Sequence, residues 1–243
     1  MRGNYTIITA RTFSKRLPKK ILLKFEKKRT IDIIISRAKK IGIPIVLATT
    51  KNKEDDFLVN YVKKNYKINI FRGSEKNVLK RWQECFKKFN IKFACMVDAD
   101  DLIFDFNLYR SALSLIRKKK FDLIVRPKNI VTGLFNYVIS SKLINKSEEK
   151  YDKKNIQLVE PLFRRLKMKT FTIKTKYVKK RIRLTQDYFE DYLFFKMIFS
   201  KFKVDENSAR ILKFLVKNKD LNKINYFRET FWKRNQKKMS QST

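Results

Sequence analysis

Apolar residues in this chain follow two rhythms that alternate through its first half. Tyr5 to Thr9 is a continuous apolar run that reads as a buried strand, and Ile31, Ile34, Ile35, Ala38 and Ile41 then recur at helical spacing. Ile43 to Thr49 is again continuous and partly β-branched, so a helix feeds a second buried strand. Asn52 to Asn65 opens on a possible Asn52 cap followed by Glu54, Asp55 and Asp56, acids that suit a helix N-terminus, with Leu58, Val59 and Val62 as its apolar face. Ile68 to Phe71 reads as a short strand. Val78, Leu79, Trp82, Cys85, Phe86 and Phe89 form the stripe of the next helix, and Phe93 to Val97 is the strand after it. A helix over Phe106 to Lys118 and a strand at Leu123 to Val125 continue the alternation.

Strands alternating with helices of this length imply parallel βαβ units, whose ligands gather where strand C-terminal ends meet loops. Beyond Val125 the regularity weakens. Val138 and Ile139 can end a strand, residues 142–156 read as an exposed polar excursion, and Met168 to Val178 alternates like a strand. From Tyr188 the spacing is helical again, and the basic tail after Phe231 has too little apolar content to pack. The expectation is one domain over 1–231 with an excursion at about 133–161, then a flexible basic tail over 232–243.

Charge narrows the partners. Sixty Lys and Arg against 23 Asp and Glu give +37, which favours an anionic partner: a nucleotide, an acidic sugar, nucleic acid or a membrane surface. Much of that charge is lysine scattered among Ile, Asn and Phe, a bias that A/T-rich coding also produces. With no histidine and only Cys85 and Cys95, a disulfide framework, a Cys/His zinc site and Ser-His-Asp or Cys-His catalysis are all excluded. The four glycines, Gly3, Gly42, Gly73 and Gly133, cannot form a glycine-rich dinucleotide turn or phosphate loop, so any bound phosphate must rely on side chains. The absence of a long apolar run or a signal-type h-region gives a cytoplasmic expectation.

Three segments could carry chemistry. Ala10 to Lys20, ARTFSKRLPKK, leaves the first strand with Arg11, Lys15, Arg16, Lys19 and Lys20 around Ser14 and no acid, either a phosphate cradle or a solvated strand exit. Asp98, Asp100, Asp101 and Asp105 cluster at the end of the Phe93 to Val97 strand. Asp105 suits a helix cap, and the others suit a Mg²⁺-nucleotide site opposite the basic loop, or else a turn. Arg183 to Asp191, RLTQDYFED, is a second acidic group.

These segments resemble the cytidylyltransferases that activate acidic sugars as CMP conjugates. The loop keeps seven of the nine fixed positions of A-R-x-G-S-x-R-L-P-G-K, with Phe13 and Lys19 where the family has glycine. Met96 to Asp105 resembles R-I-T-x-D-x-P-L-I-D, with Met96, Asp98 and Leu102 replacing its Arg, Thr and Pro, and RLTQDYFED matches R-L-T-V-D-x-x-E-D. Ala48-Thr49-Thr50 with Asp55-Asp56 resembles a further block, A-T-x-x-x-x-x-D-D. Phe71-Arg72-Gly73-Ser74 with Val78-Leu79-Lys80-Arg81 resembles another, F-R-G-x-x-x-x-V-L-x-R. The closing segment Ile211 to Asn225 is similar to the spore coat polysaccharide biosynthesis protein F branch.

The resemblance implies a Rossmann-like three-layer α/β/α nucleotidyltransferase (GT-A-like) fold with a mostly parallel central sheet. It implies CTP and a small acidic sugar as substrates, Mg²⁺ on Asp100 and Asp187, and a helix-orienting role for Asp191. It assigns Ala10, Arg11, Ser14, Arg16 and Lys20 to the nucleotide, with Arg11 and Lys20 also catalytic beside Asp100 and Asp187. Arg72, Gly73 and Ser74 would face base or ribose, and a homodimer would use the segment after Gly133. Two other readings fit fewer residues. Asp98-Ala99-Asp100 is a D-x-D of the kind nucleotide-sugar glycosyltransferases use, and the charge alone would suit a non-enzymatic nucleic-acid binder.

Overall fold

A computed structural model of the chain describes residues 3–151, 156–177 and 181–241. The first strand, β1 (Asn4–Thr9), carries Ile7 and Ile8 to opposite faces of the sheet, as the two-residue strand period requires, and both are fully buried. After the basic loop, a two-strand ribbon of β2 (Lys24–Phe25) and β3 (Lys28–Arg29) leads into α1 (Thr30–Lys39). Then follow β4 (Ile45–Thr50), α2 (Asp56–Asn65), β5 (Asn69–Gly73), α3 (Val78–Lys88), β6 (Phe93–Asp98), α4 (Phe106–Lys119) and β7 (Leu123–Val125). The chain goes on through β8 (Tyr137–Ser140), α5 (Ser141–Tyr151), α6 (Glu160–Arg165) and β9 (Thr170–Thr172), and closes with α7 (Phe189–Phe199), α8 (Ser208–Lys217), α9 (Lys219–Tyr226) and α10 (Arg228–Gln241).

Seven strands make one sheet in the order β5-β4-β1-β6-β8-β7-β9. β1 pairs in parallel with β4 and β6, so that Thr9 lies beside Ala48 on one side and Asp98 on the other, while β8 runs antiparallel to both β6 and β7. Two apolar layers flank the sheet. One holds Ile8, Leu47 and Val97 with Ile31, Ile34, Leu58, Tyr109 and Phe195; the other holds Ile7, Val46 and Met96 with Leu79, Trp82, Phe86 and Phe163. Each such aliphatic or aromatic side chain contributes roughly 1.5–3 kcal/mol by leaving water. The three-layer α/β/α reading of the sequence therefore holds. Because β1, β4, β5 and β6 all run the same way, their C-terminal ends and the loops after them share one edge of the sheet.

The structure departs from the sequence pattern in three places. Residues 137–151 are no excursion: β8 is the antiparallel member of the central sheet, and α5 packs on α3 through buried Leu143, Ile144, Ser147 and Tyr151. Residues 152–155, within the expected excursion, lie outside the described residues, as does Val178. The alternation over Met168 to Val178 supports a strand only at Thr170–Thr172. Residues 232–241 of the tail continue α10 as a helix, half-burying Trp232 and Gln236. Among the described residues, no helix is long and apolar enough to cross a membrane.

Candidate active site

The basic loop is held at its start by a carboxylate from the neighbouring strand turn. Asp55, buried behind β4, accepts a hydrogen bond from the Thr12 backbone N–H at 2.6 Å, together with bonds from the Thr49 hydroxyl at 2.9 Å, the Thr50 N–H at 3.2 Å and the Thr50 hydroxyl. Burial opposes its charge, but the bonds from Thr50, Thr12 and Thr49 outweigh it and keep the carboxyl below its usual range. The pairing of Ala48-Thr49-Thr50 with Asp55 thus fastens the loop to the sheet edge. Lys19, where the resembled pattern has glycine, sits in the left-handed region at φ 53°.

From that anchored start the loop reaches two acidic groups far away in sequence. Lys20 Nζ lies 2.7 Å from Asp100 Oδ2 and 3.0 Å from Asp187 Oδ1, and Arg16 Nη2 lies 2.6 Å from the same Asp187 oxygen. Asp187 is only 1% exposed. Burial alone would raise its carboxyl, yet Lys20, Arg16 and Arg183 together hold it far below the ordinary carboxylate value. Lys20 responds in kind: despite its burial, Asp100 and Asp187 push its ammonium well above the usual lysine value.

Behind Asp187 stands a second network that fixes its position. Arg183, fully buried, donates to Asp187 Oδ2 at 3.2 Å, to Asp191 Oδ1 at 3.0 Å and to Glu229 Oε2 at 3.2 Å. Asp191 Oδ2 accepts the backbone N–H groups of Asp187 at 2.8 Å and Tyr188 at 2.9 Å, which caps α7 and shapes the turn carrying Asp187. The segment is tied to the aspartate cluster by the Gln186 N–H, which donates to the Asp100 carbonyl at 2.8 Å. Gly133 makes the close approach possible. Its φ is +91°, and a Cβ there would stand 2.2 Å from the Leu184 carbonyl oxygen.

The aspartates at the end of β6 are packed tightly. Asp98, Asp100 and Asp101 each offer a carboxylate oxygen within 4.8 Å of the others, and Asn136 Nδ2 donates to Asp98 at 3.1 Å and Asp101 at 2.9 Å. Asp101 is raised well above the usual carboxylate value by burial and by the charges of Asp100 and Asp98. Asp105 caps α4, accepting from Asn107 N–H at 2.8 Å. This donor set suits a hard divalent cation. Its ligands are all oxygens, and Asp100 and Asp187 already converge on a single positive nitrogen, that of Lys20. A cleft of about 620 Å³ opens over the group, lined by the loop from Ala10 to Lys20, by Asp98 to Asp101, and by Gly133, Asp187, Trp232 and Gln236.

Residues 5–180 match the profile of the cytidylyltransferase family. The chain belongs to the cytidylyltransferase family. An uncharacterized protein of Methanocaldococcus jannaschii is 31% identical over 229 residues, covering 90% of this chain and 93% of the relative. In three dimensions the chain is similar to a cytidylyltransferase from Leptospira borgpetersenii, at TM-score 0.81 and 21% identity over 91% of this chain and 97% of that one. It is also similar to a CMP:2-keto-3-deoxy-manno-octonic acid synthetase solved with CTP, at TM-score 0.61 and 14% identity over 82% and 98%. A 4-diphosphocytidyl-2C-methyl-D-erythritol synthase from Anaerococcus prevotii follows at 0.58 and 14% over 82% and 99%. At these identities the structural likenesses establish the fold.

Within this cytidylyltransferase the expected residues divide. Ala10, Arg11, Ser14, Arg16, Lys20, Asp100 and Asp187 share one cleft. Arg72, Gly73 and Ser74 do not line it. Arg72 is spent on the β4–α2 turn, donating to the carbonyls of Thr50 and Asn52, each at 2.8 Å, and pairing with Asp56 at 2.6 Å, while the Ser74 hydroxyl accepts the Asn77 N–H at the entry to α3. In their place Val78, Arg81 and Trp82 of α3 face the cleft, joined by Asn136, Trp232 and Gln236. Arg81 belongs to a recognisable sequence block without standing out in it. Trp232, whose indole lies 5.6 Å from the Arg183 guanidinium, sits in a basic stretch with no pattern to mark it.

Proposed function

We propose that this cytidylyltransferase transfers CMP from CTP to an acidic sugar, releasing pyrophosphate, in the manner of the surface-polysaccharide branch that its closing helices resemble. One observation carries the reading: Lys20 of the basic loop bridges Asp100 and Asp187, gathering three segments widely separated in sequence onto one point. The fold is shared with a synthetase of CMP:2-keto-3-deoxy-manno-octonic acid solved with CTP, which supports both the nucleotide and the acidic class of acceptor.

Arg11, Arg16, Lys20 and Ser14 would embrace the triphosphate, the cations neutralising charge that builds on its phosphates as pyrophosphate leaves and the hydroxyl donating to a phosphate oxygen. For that, Arg16 and Lys20 must turn from Asp187 and Asp100 toward phosphate. Asp100 and Asp187 would then hold Mg²⁺, which when bound supplies charge neutralisation and eases ionisation of the attacking hydroxyl. The sugar hydroxyl attacks the α-phosphorus, the bond to the bridging β-oxygen breaks, pyrophosphate leaves and the hydroxyl proton passes to solvent. Arg183 helps keep Asp187 ionised and Asp191 keeps it aimed, so the rate advantage comes from positioning and electrostatics. The acceptor would lie toward Asn136 and Gln157, and a homodimer is part of the same proposal.

The test is pyrophosphate release from each of the four nucleoside triphosphates with Mg²⁺ and a panel of sugar acids. Release is expected with CTP and an acid together, and Asp100→Asn and Asp187→Asn should each lower it at least a hundredfold. Turnover untouched by either substitution contradicts the assignment of these carboxylates.

A further inference from the structure

Among the described residues three arginines are buried almost completely, and two of them are fully matched. Arg37 donates to the carbonyls of Phe104, Val204 and Glu206 and to the Ser208 hydroxyl, and Arg183 pairs with Asp187, Asp191 and Glu229. Arg81 is different. Only 2% exposed, its side chain makes no hydrogen bond or ion pair among the described residues, and its Nε and Nη1 are both without an acceptor. Sequestering an unmatched guanidinium is costly, and a ligand that supplies the missing counter-charge relieves that cost.

The position of Arg81 says which ligand group that is. It projects from the first turn of α3 into the cleft wall, close enough to Arg11 for their charges to oppose each other. Its guanidinium is pushed down to about 10, first by burial and then by Arg11, against the weaker opposing pull of Asp55 and Asp98, neither of which forms an ion pair with it. Two neighbouring guanidiniums call for an anion rather than the neutral edge of a base. Arg16 and Lys20, at the far end of the loop, already face Asp187 and Asp100. The backbone is shaped around Arg81 as well. A Cβ on Gly73 would come within 2.9 Å of Arg81 Cγ and 2.8 Å of Phe71 Cε1, so the glycine clears the path of the arginine stem.

We propose that Arg81, together with Arg11, seats the α-phosphate of the nucleotide, the phosphate retained in the product, while Arg16 and Lys20 serve the pyrophosphate that leaves. The assignment rests on the cytidylyltransferase reading and adds to it a division of the positive cleft into a retained and a released half. Gly73 is a positioning residue for Arg81.

Calorimetric titrations of wild type, Arg81→Gln, Arg81→Lys and Gly73→Ala with CTP, CMP, cytidine and pyrophosphate test it. A charged hydrogen-bonding contact corresponds to about a ten- to hundredfold change in affinity. Arg81→Gln should weaken CMP and CTP by that factor and leave cytidine and pyrophosphate within about twofold. Arg81→Lys should fall between, Gly73→Ala should weaken CMP in the same direction, and the thermal midpoint of Arg81→Gln should match or exceed wild type. Unchanged CMP affinity in Arg81→Gln, or an equal loss for cytidine, overturns the assignment while the function stands. A wild type that binds neither CTP nor CMP removes the function and the assignment together.

Discussion

Replacing Lys20 by glutamine removes the cation that holds Asp100 and Asp187 together, and the consequence can be worked out from the contacts. Two charge-assisted hydrogen bonds are lost, each of which contributes roughly 1.5–3 kcal/mol. Severing a buried pair costs about 3–5 kcal/mol. Asp100 is 26% exposed on its side chain and regains water, and Asp187 keeps Arg16 and Arg183, so the net loss should fall near 2–3 kcal/mol. For a chain of this size that is a drop of about 5–10 °C in thermal midpoint. Lys20 also competes with any divalent cation for the same oxygens. Millimolar Mg²⁺ should therefore raise the midpoint of Lys20→Gln more than that of wild type, even though the variant should bind CTP less well. Thermal unfolding followed by circular dichroism, with Mg²⁺ titrated against a chelator control, reads both effects. A variant as stable as wild type, or one whose response to Mg²⁺ is no larger, refutes the shared-cation account.

Other consequences follow from single residues. Lys19→Gly relieves a non-glycine residue at φ 53° and should stabilise the protein by about 1 kcal/mol in denaturant titrations, shifting the midpoint without changing the slope. Gly133→Ala forces a Cβ onto the Leu184 carbonyl at a positive φ and should cost more than about 3 kcal/mol by the same measurement. Asp187 has a folded-state pKa depressed below its unfolded value. Its stabilisation is therefore complete above the unfolded value, near pH 4, and is lost as pH falls toward the folded value. Urea midpoints measured between pH 6 and pH 3 should decline along that limb in wild type and decline less in Asp187→Asn.

How far the sequence reveals this molecule depends on whether a residue's role is local. The apolar runs of β1, β4 and β6 and the stripe of α3 announce themselves because one periodicity decides their burial. The loop and its two acidic groups are legible as motifs, and the order of strands brings them together. By contrast α5 hides its buried face, Leu143, Ile144, Ser147 and Tyr151, among six charged or amide side chains, so its composition suggests solvent while its packing on α3 does not. Arg72 and Arg81 lie in one sequence block and look equally suited to a nucleotide. Only the fold shows that Arg72 is consumed by carbonyls and that Arg81 is unmatched. Trp232 enters the cleft because Glu229, one turn earlier on α10, is drawn to Arg183, a long-range pairing that no local pattern reports.

The most direct test of the whole account is Mg²⁺-dependent pyrophosphate release, compared across the four nucleoside triphosphates in the presence of sugar acids, for wild type and Asp187→Asn. Release from CTP should depend on the acid and collapse in the variant. Release that ignores the identity of the base, or that survives loss of the Asp187 charge, would contradict the account.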